Sequence, residues 1–171
     1  MSLFYRPLNA RDIDEPHRTA TTLELLFDLV SVIAIAAAAA GLHHAIAEAH
    51  AMQGVITFLM AFFAVWWAWM NYTWFASAYA NDDGLFRLLT MVIMGGSLTM
   101  AVGIGALFTS GDLTMVVTGY VIMRVGMISL WLRAAIDDPE RRSTNLTYAI
   151  GIGLVQSYWV IFALLQPLAP A

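Results

Sequence analysis

The stretch TTLELLFDLVSVIAIAAAAAGL, residues 21–42, decides the fold. From Thr22 to Leu42 its only charges are Glu24 and Asp28, and after Asp28 the run is unbroken. About 20 predominantly apolar residues is the length one helix needs to cross a bilayer core. A segment in hydrocarbon must also satisfy its own backbone hydrogen bonds, which a continuous helix does. The start is marked as well. Thr21-x-x-Glu24 has capping-box spacing, and a carboxylate in the first turn lies at the positive end of the helix dipole.

Working outward, four more apolar runs follow at residues 55–78, 85–108, 113–136 and 146–165. Short polar breaks separate the last four runs: Asn81-Asp82-Asp83-Gly84, Ser110-Gly111-Asp112 and Asp137-Asp138-Pro139-Glu140. Asp82 or Asp83, Asp112 and Ser143 are the natural N-caps of the helices that follow. The expected fold is all-α, a polytopic transmembrane bundle of about five spans, with residues 1–21 as a polar segment, 22–165 as the bundle and 166–171 as a short tail. The 171 residues are 60% hydrophobic and 12% charged, with mean hydropathy +0.72. A soluble domain is roughly half apolar and a quarter charged, so a water-soluble fold of this composition could not cover itself with polar surface.

Composition also excludes chemistries. With no cysteine there is no disulfide, thiolate nucleophile or cysteine-held metal. All eight basic residues are arginines, so no lysine is present to form a Schiff base with retinal or pyridoxal phosphate. A net charge of −4 without a basic patch gives no footprint for nucleic acid. No cofactor is expected, and no nucleophile–base arrangement points to an enzyme.

Arginine placement sets the expected topology. One set of alternating breaks holds Arg6, Arg11, Arg18, Arg87, Arg133, Arg141 and Arg142, and the other set holds none. Basic residues are retained on the cytoplasmic side, so the N-terminus is expected in the cytoplasm and the protein in the bacterial inner membrane. The N-terminal segment is too acidic and too long for a signal peptide, so the first helix is expected to be retained. An odd number of spans ending without a charged tail is what a fragment of a longer chain would have. The expected partners are the lipid bilayer and either a second copy of the chain or a missing C-terminal half.

Several residues are candidates for chemistry. Ionisable side chains inside a span are costly and default to functional roles. Asp28 lies one turn beyond Glu24 on the same face, and Arg124 is the only basic residue deep in a span, about 18 Å along the axis from the end of its helix. An arginine can lean several ångströms along its stem, so Asp28 and Arg124 are expected to meet, either as a polar path with Glu24 or as a structural ion pair. Trp67, Asn71 and Trp74 share a face of the second helix, either as core packing or as an aromatic pocket for an apolar or cationic ligand. His44 and Glu48 are spaced i, i+4 and are weak metal candidates near His43 and His50, though a solvated helix end accounts for them too. Gly95, Thr99 and Gly103, and likewise Ala149, Gly153 and Ser157, form small-residue ridges suited to close helix packing.

The run His17-Arg18-x-Ala20-Thr21-x-Leu23-Glu24-Leu25-Leu26-Phe27-Asp28-Leu29-Val30, then Trp66-Trp67-Ala68-Trp69, Asp82-Asp83-x-x-x-Arg87-Leu88-Leu89, Met94-x-Gly96 and Tyr120-x-x-x-Arg124 resembles the bacterial low-temperature-requirement protein A family. The resemblance covers most of the chain in order and corresponds to the N-terminal half of that family. It implies a membrane address and a fold rather than a reaction. One departure is Ala80 and Asn81, where the family often has a further aspartate, which speaks against a cation site in that loop. Two functions are expected: a transporter or channel-like module with Glu24, Asp28 and Arg124 as its polar path, or a non-catalytic component supporting the membrane in the cold.

Overall fold

A computed structural model describes residues 4–11, 19–80 and 82–165. Its five long helices are α1 (Thr22–Ala47), α2 (Ala51–Ala78), α3 (Gly84–Ser110), α4 (Thr114–Asp137) and α5 (Arg142–Leu165), the last preceded by a 3-10 turn over Pro139–Arg141. A two-residue antiparallel pair, β1 (Asn9–Ala10) with β2 (Tyr79–Ala80), ties the N-terminal segment to the end of α2 in the register Asn9 to Ala80 and Ala10 to Tyr79. Helices α1 to α4 are long and apolar enough to cross a membrane. They also turn large apolar side chains outward, with Leu29 65% and Val102 74% exposed. A surface of that kind suits lipid rather than water.

Local chemistry explains several helix ends. The Thr21 hydroxyl accepts from the Glu24 amide at 3.2 Å, and the Asp83 carboxylate accepts from the Phe86 amide at 2.8 Å. Gly111, at φ 71°, closes α3 in the left-handed conformation that glycine adopts without strain. Two expected caps differ. Asp112 accepts from the Thr114 amide at 2.8 Å but stands outside the cap position, which Leu113 holds. Ser143 lies inside α5, because Asp138 opens the preceding 3-10 turn by accepting from the Arg141 amide at 3.2 Å. The turn between α1 and α2 is only Glu48–His50, shorter than the apolar pattern implied, and it passes through Ala49 at φ 62°.

Helix order governs everything that follows. α1 packs against α2 and α3, α4 packs against α3 and α5, and α2 touches α4 more lightly, so α3 stands between α1 and α4. The closest approach is between α3 and α4. A Cβ at Gly119 would stand 2.5 Å from the Gly96 carbonyl oxygen, and one at Gly103 would stand 2.7 Å from the Val116 amide nitrogen. Of the ridge expected at Gly95, Thr99 and Gly103, Gly103 lies at the contact as expected, while the rest of the contact is shifted by one residue. Gly96, Met100 and Gly103 form the contact, whereas a Cβ at Gly95 would meet nothing within 4 Å. On α5, Ala149 is buried, Gly153 makes ordinary contact with Ile128, and Ser157 is exposed.

Candidate functional site

The two deep charges are held separately. On α1, Asp28 accepts a hydrogen bond from the Trp69 indole of α2 at 2.6 Å. On α4, Arg124 is 2% exposed; its guanidinium lies over the Tyr120 ring, 4.4 Å from the centroid, and its Nη2 donates to the Tyr120 hydroxyl. The other terminal nitrogen, Nη1, is buried without a hydrogen-bond partner among the described residues. The expected contact between Asp28 and Arg124 is not made. Two physical causes separate them. Helix α3 intervenes between α1 and α4. Side chains on a helix also lean toward its N-terminus, so Arg124 folds onto Tyr120 one turn back, away from the end where α1 begins. Glu24, the third member of the expected path, serves the start of α1: it caps with Thr21 and lies 3.6 Å from the Arg11 guanidinium.

The aromatic face of α2 shares a cavity with Arg124. Trp67, Asn71 and Trp74, expected to share a face, line one cavity of about 230 Å³ together with Arg124 of α4 and Tyr148 of α5. The Asn71 amide nitrogen donates back to the Trp67 carbonyl at 2.6 Å. Trp74 and Tyr148 also line a second cavity of about 470 Å³, which reaches Arg11 and Arg141 at the end of the bundle where the N-terminal segment docks. Tyr148 is itself held by stacking on Trp131, with centroids 4.5 Å apart.

At that end lies an ion network that helix periodicity did not reveal. Asp83, 1% exposed, accepts from both terminal nitrogens of Arg133 and from the backbone amide of Arg6 at 2.7 Å. Arg133 also lies 3.4 Å from Asp137 and donates to the Arg6 carbonyl at 2.6 Å. Asp137 in turn accepts from the Leu8 amide at 3.1 Å and from the Tyr5 hydroxyl. Burial alone would raise the Asp83 carboxyl, but hydrogen bonds from Arg133 and from the Phe86 and Arg6 amides hold it below the usual carboxylate range. The Tyr5 hydroxyl is pushed up, first by its hydrogen bond to Asp137. Nearby, Tyr79 donates to Asp138 at 3.2 Å and accepts from Asn145 at 2.7 Å, and burial raises its hydroxyl. A signal was present in the sequence: Arg133 and Asp137 are spaced i, i+4 on one helix face. Arginine counting assigned Arg133 to a loop, whereas it is only 6% exposed.

His44 and Glu48, the weak metal candidates, line a wide cavity of about 880 Å³ at the opposite end of α1, together with His50 and Thr57. Among the described residues, no group of three or more histidine, cysteine, aspartate or glutamate side chains comes together there or elsewhere.

The chain matches the family described as Bacterial low temperature requirement A protein (LtrA) across residues 19–170. It is similar to an uncharacterised protein, RA0937, of Rhizobium meliloti (strain 1021), with 27% identity over 146 residues that cover 84% of this chain and 34% of the relative. The chain thus spans about a third of the length of that curated relative. No solved structure matches it.

Proposed function

The chain belongs to the bacterial low temperature requirement A family and is an integral membrane protein, and from that premise we propose that it is the solute-handling part of a transporter or channel-like protein. The observation that carries this reading is the separation of the two deep charges. A charge at the bilayer centre costs about 2.5 to 3.5 kcal/mol even on insertion scales. Charges kept only to fix packing would offset that cost by pairing. Instead Asp28 is met by Trp69 and Arg124 by Tyr120, both neutral. Two polar stations at different places in the bundle suit a moving ion or solute better than a clamp between helices.

The chain sits in the bacterial inner membrane with its N-terminus in the cytoplasm and α5 as a fifth crossing. Arginine bias supports this, since Arg6, Arg11, Arg87, Arg133, Arg141 and Arg142 all belong to the end where β1 docks. The bundle works with the lipid bilayer and with a second copy or the remaining helices of a longer chain, and it performs no covalent chemistry. The alternative, a non-catalytic component sustaining the membrane in the cold, is favoured by the Asp83, Arg133 and Asp137 network, in which buried charges are paired with one another across helices.

Purified protein in liposomes, assayed for proton, cation and anion flux, tests the proposal. Flux that falls in both Asp28→Asn and Arg124→Gln is expected. A wild-type protein without flux, or flux that survives both changes, would reject the polar path.

A further inference from the structure

Building on the solute-handling reading, we infer that the cavity between α2, α4 and α5 is a binding site for a carboxylate with a small apolar body, its anionic end on Arg124 and its body against Trp67 and Trp74. The walls alone would admit a different ligand, because indole faces attract cations. Arg124 reverses that preference. Its guanidinium is buried and, among the described residues, is met only by the ring and hydroxyl of Tyr120 and keeps Nη1 without a partner. A second cation beside it would be repelled, and an uncharged ligand would leave the charge unanswered.

The donor set favours a carboxylate over a phosphate. A phosphate carries more charge and three acceptor oxygens, and it calls for several donors. Arg124 is the one charged residue in the lining, whose other donors are the neutral indoles of Trp67 and Trp74 and the Tyr148 hydroxyl, while the Asn71 amide nitrogen is engaged by the Trp67 carbonyl and the Thr147 hydroxyl by the Ser143 carbonyl. A planar guanidinium is well matched to a single carboxylate. Ile152 and Val155 complete an apolar lining for the rest of the molecule. At about 230 Å³ the cavity is smaller than the 300 Å³ or so at which drug-sized sites begin. One ring or a short alkyl chain fits that space. Access runs through the adjoining 470 Å³ cavity, which shares Trp74 and Tyr148. The arginines at its rim, Arg11 and Arg141, are paired with Glu24 and Asp138, so they mark an entrance rather than the binding point.

A carboxylate of this kind could arrive from water or, as a fatty acid, from the bilayer. Titrating the detergent-solubilised chain with benzoate and with decanoate, read by tryptophan fluorescence, separates the two sources, and benzylamine and benzyl alcohol serve as cationic and neutral counterparts. Saturable binding of either acid is expected, with affinity reduced about tenfold or more in Arg124→Gln, the order expected for losing one charge-assisted hydrogen bond. Benzoate binding points to a water-soluble ligand, and decanoate binding without benzoate points to the bilayer as source; both support the site. A second variant guards against misfolding of Arg124→Gln. Gly151 lines the cavity, and a Cβ there would meet nothing within 4 Å, so Gly151→Leu should fill the space and abolish binding while the chain stays folded. Binding of neither acid, equal binding of benzylamine or benzyl alcohol, or binding unchanged in Gly151→Leu would overturn the site. Because this readout needs no flux, binding without transport would sink only the transport reading, and transport without binding only the carboxylate.

Discussion

Arg133 and Asp83, fifty residues apart on α4 and at the start of α3, form a two-point ion pair, with Nη1 to Oδ1 at 3.0 Å and Nη2 to Oδ2 at 2.5 Å. The pair also holds the N-terminal segment, since Asp83 accepts from the Arg6 amide and Arg133 donates to the Arg6 carbonyl. Removing Arg133 leaves the Asp83 carboxylate buried without a counter-charge, a loss of about 3 to 5 kcal/mol, whereas removing Asp83 leaves Arg133 its longer contact with Asp137 at 3.4 Å. Asp83→Asn and Arg133→Gln should each lower the melting temperature in detergent sharply, and the double variant should lose less than the sum. Strictly additive losses would mean that the two side chains do not act as a pair.

The same carboxylate makes stability depend on acid. Asp83 has a folded-state pKa below its unfolded value, so its contribution is fully present above the ordinary carboxylate range and is lost as pH falls through the folded value. Melting temperature measured from neutral pH downward should drop in wild type, with a shallower acid limb in Asp83→Asn. Parallel curves for the two proteins would assign the acid sensitivity to other groups.

Packing of α3 on α4 should be sensitive to a single residue of rotation. At Gly119 a side chain would meet the Gly96 carbonyl and the Met100 backbone, which cannot give way as a flexible side chain can. Gly119→Leu is expected to destabilise by about 1 to 3 kcal/mol or more through overpacking, while Gly95→Leu, with open space around it, should be near neutral. Thermal melts in detergent compare the two directly, and equal effects would place the contact elsewhere.

Topology can be tested without background labelling because the native chain has no cysteine. Ser110→Cys, at the end of α3 remote from the arginines, should react with an impermeant thiol reagent from the periplasmic side, and Asp82→Cys only from the cytoplasmic side. Labelling of Ser110→Cys from the cytoplasm alone would invert the orientation.

What the sequence determined by itself is everything that depends on neighbours along one helix. An apolar run long enough to span, the Thr21 cap, an aspartate cap at 82 or 83, and the shared face of Trp67, Asn71 and Trp74 all follow from backbone hydrogen bonding and a repeat of 3.6 residues. Tertiary structure alone decided which faces meet. Asp28 and Arg124 were the natural pair by depth, yet α3 lies between their helices and each charge turned to an aromatic neighbour instead. Gly95 and Gly96 differ by about 100° around α3, and only packing selected Gly96. Arg133 carried the same charge as the arginines of the loops, but the return of residues 4–11 across the bundle end buried it against Asp83. Local periodicity places a side chain on one face of its own helix; the order in which helices pack decides what that face touches, and no pattern within a single helix encodes that order.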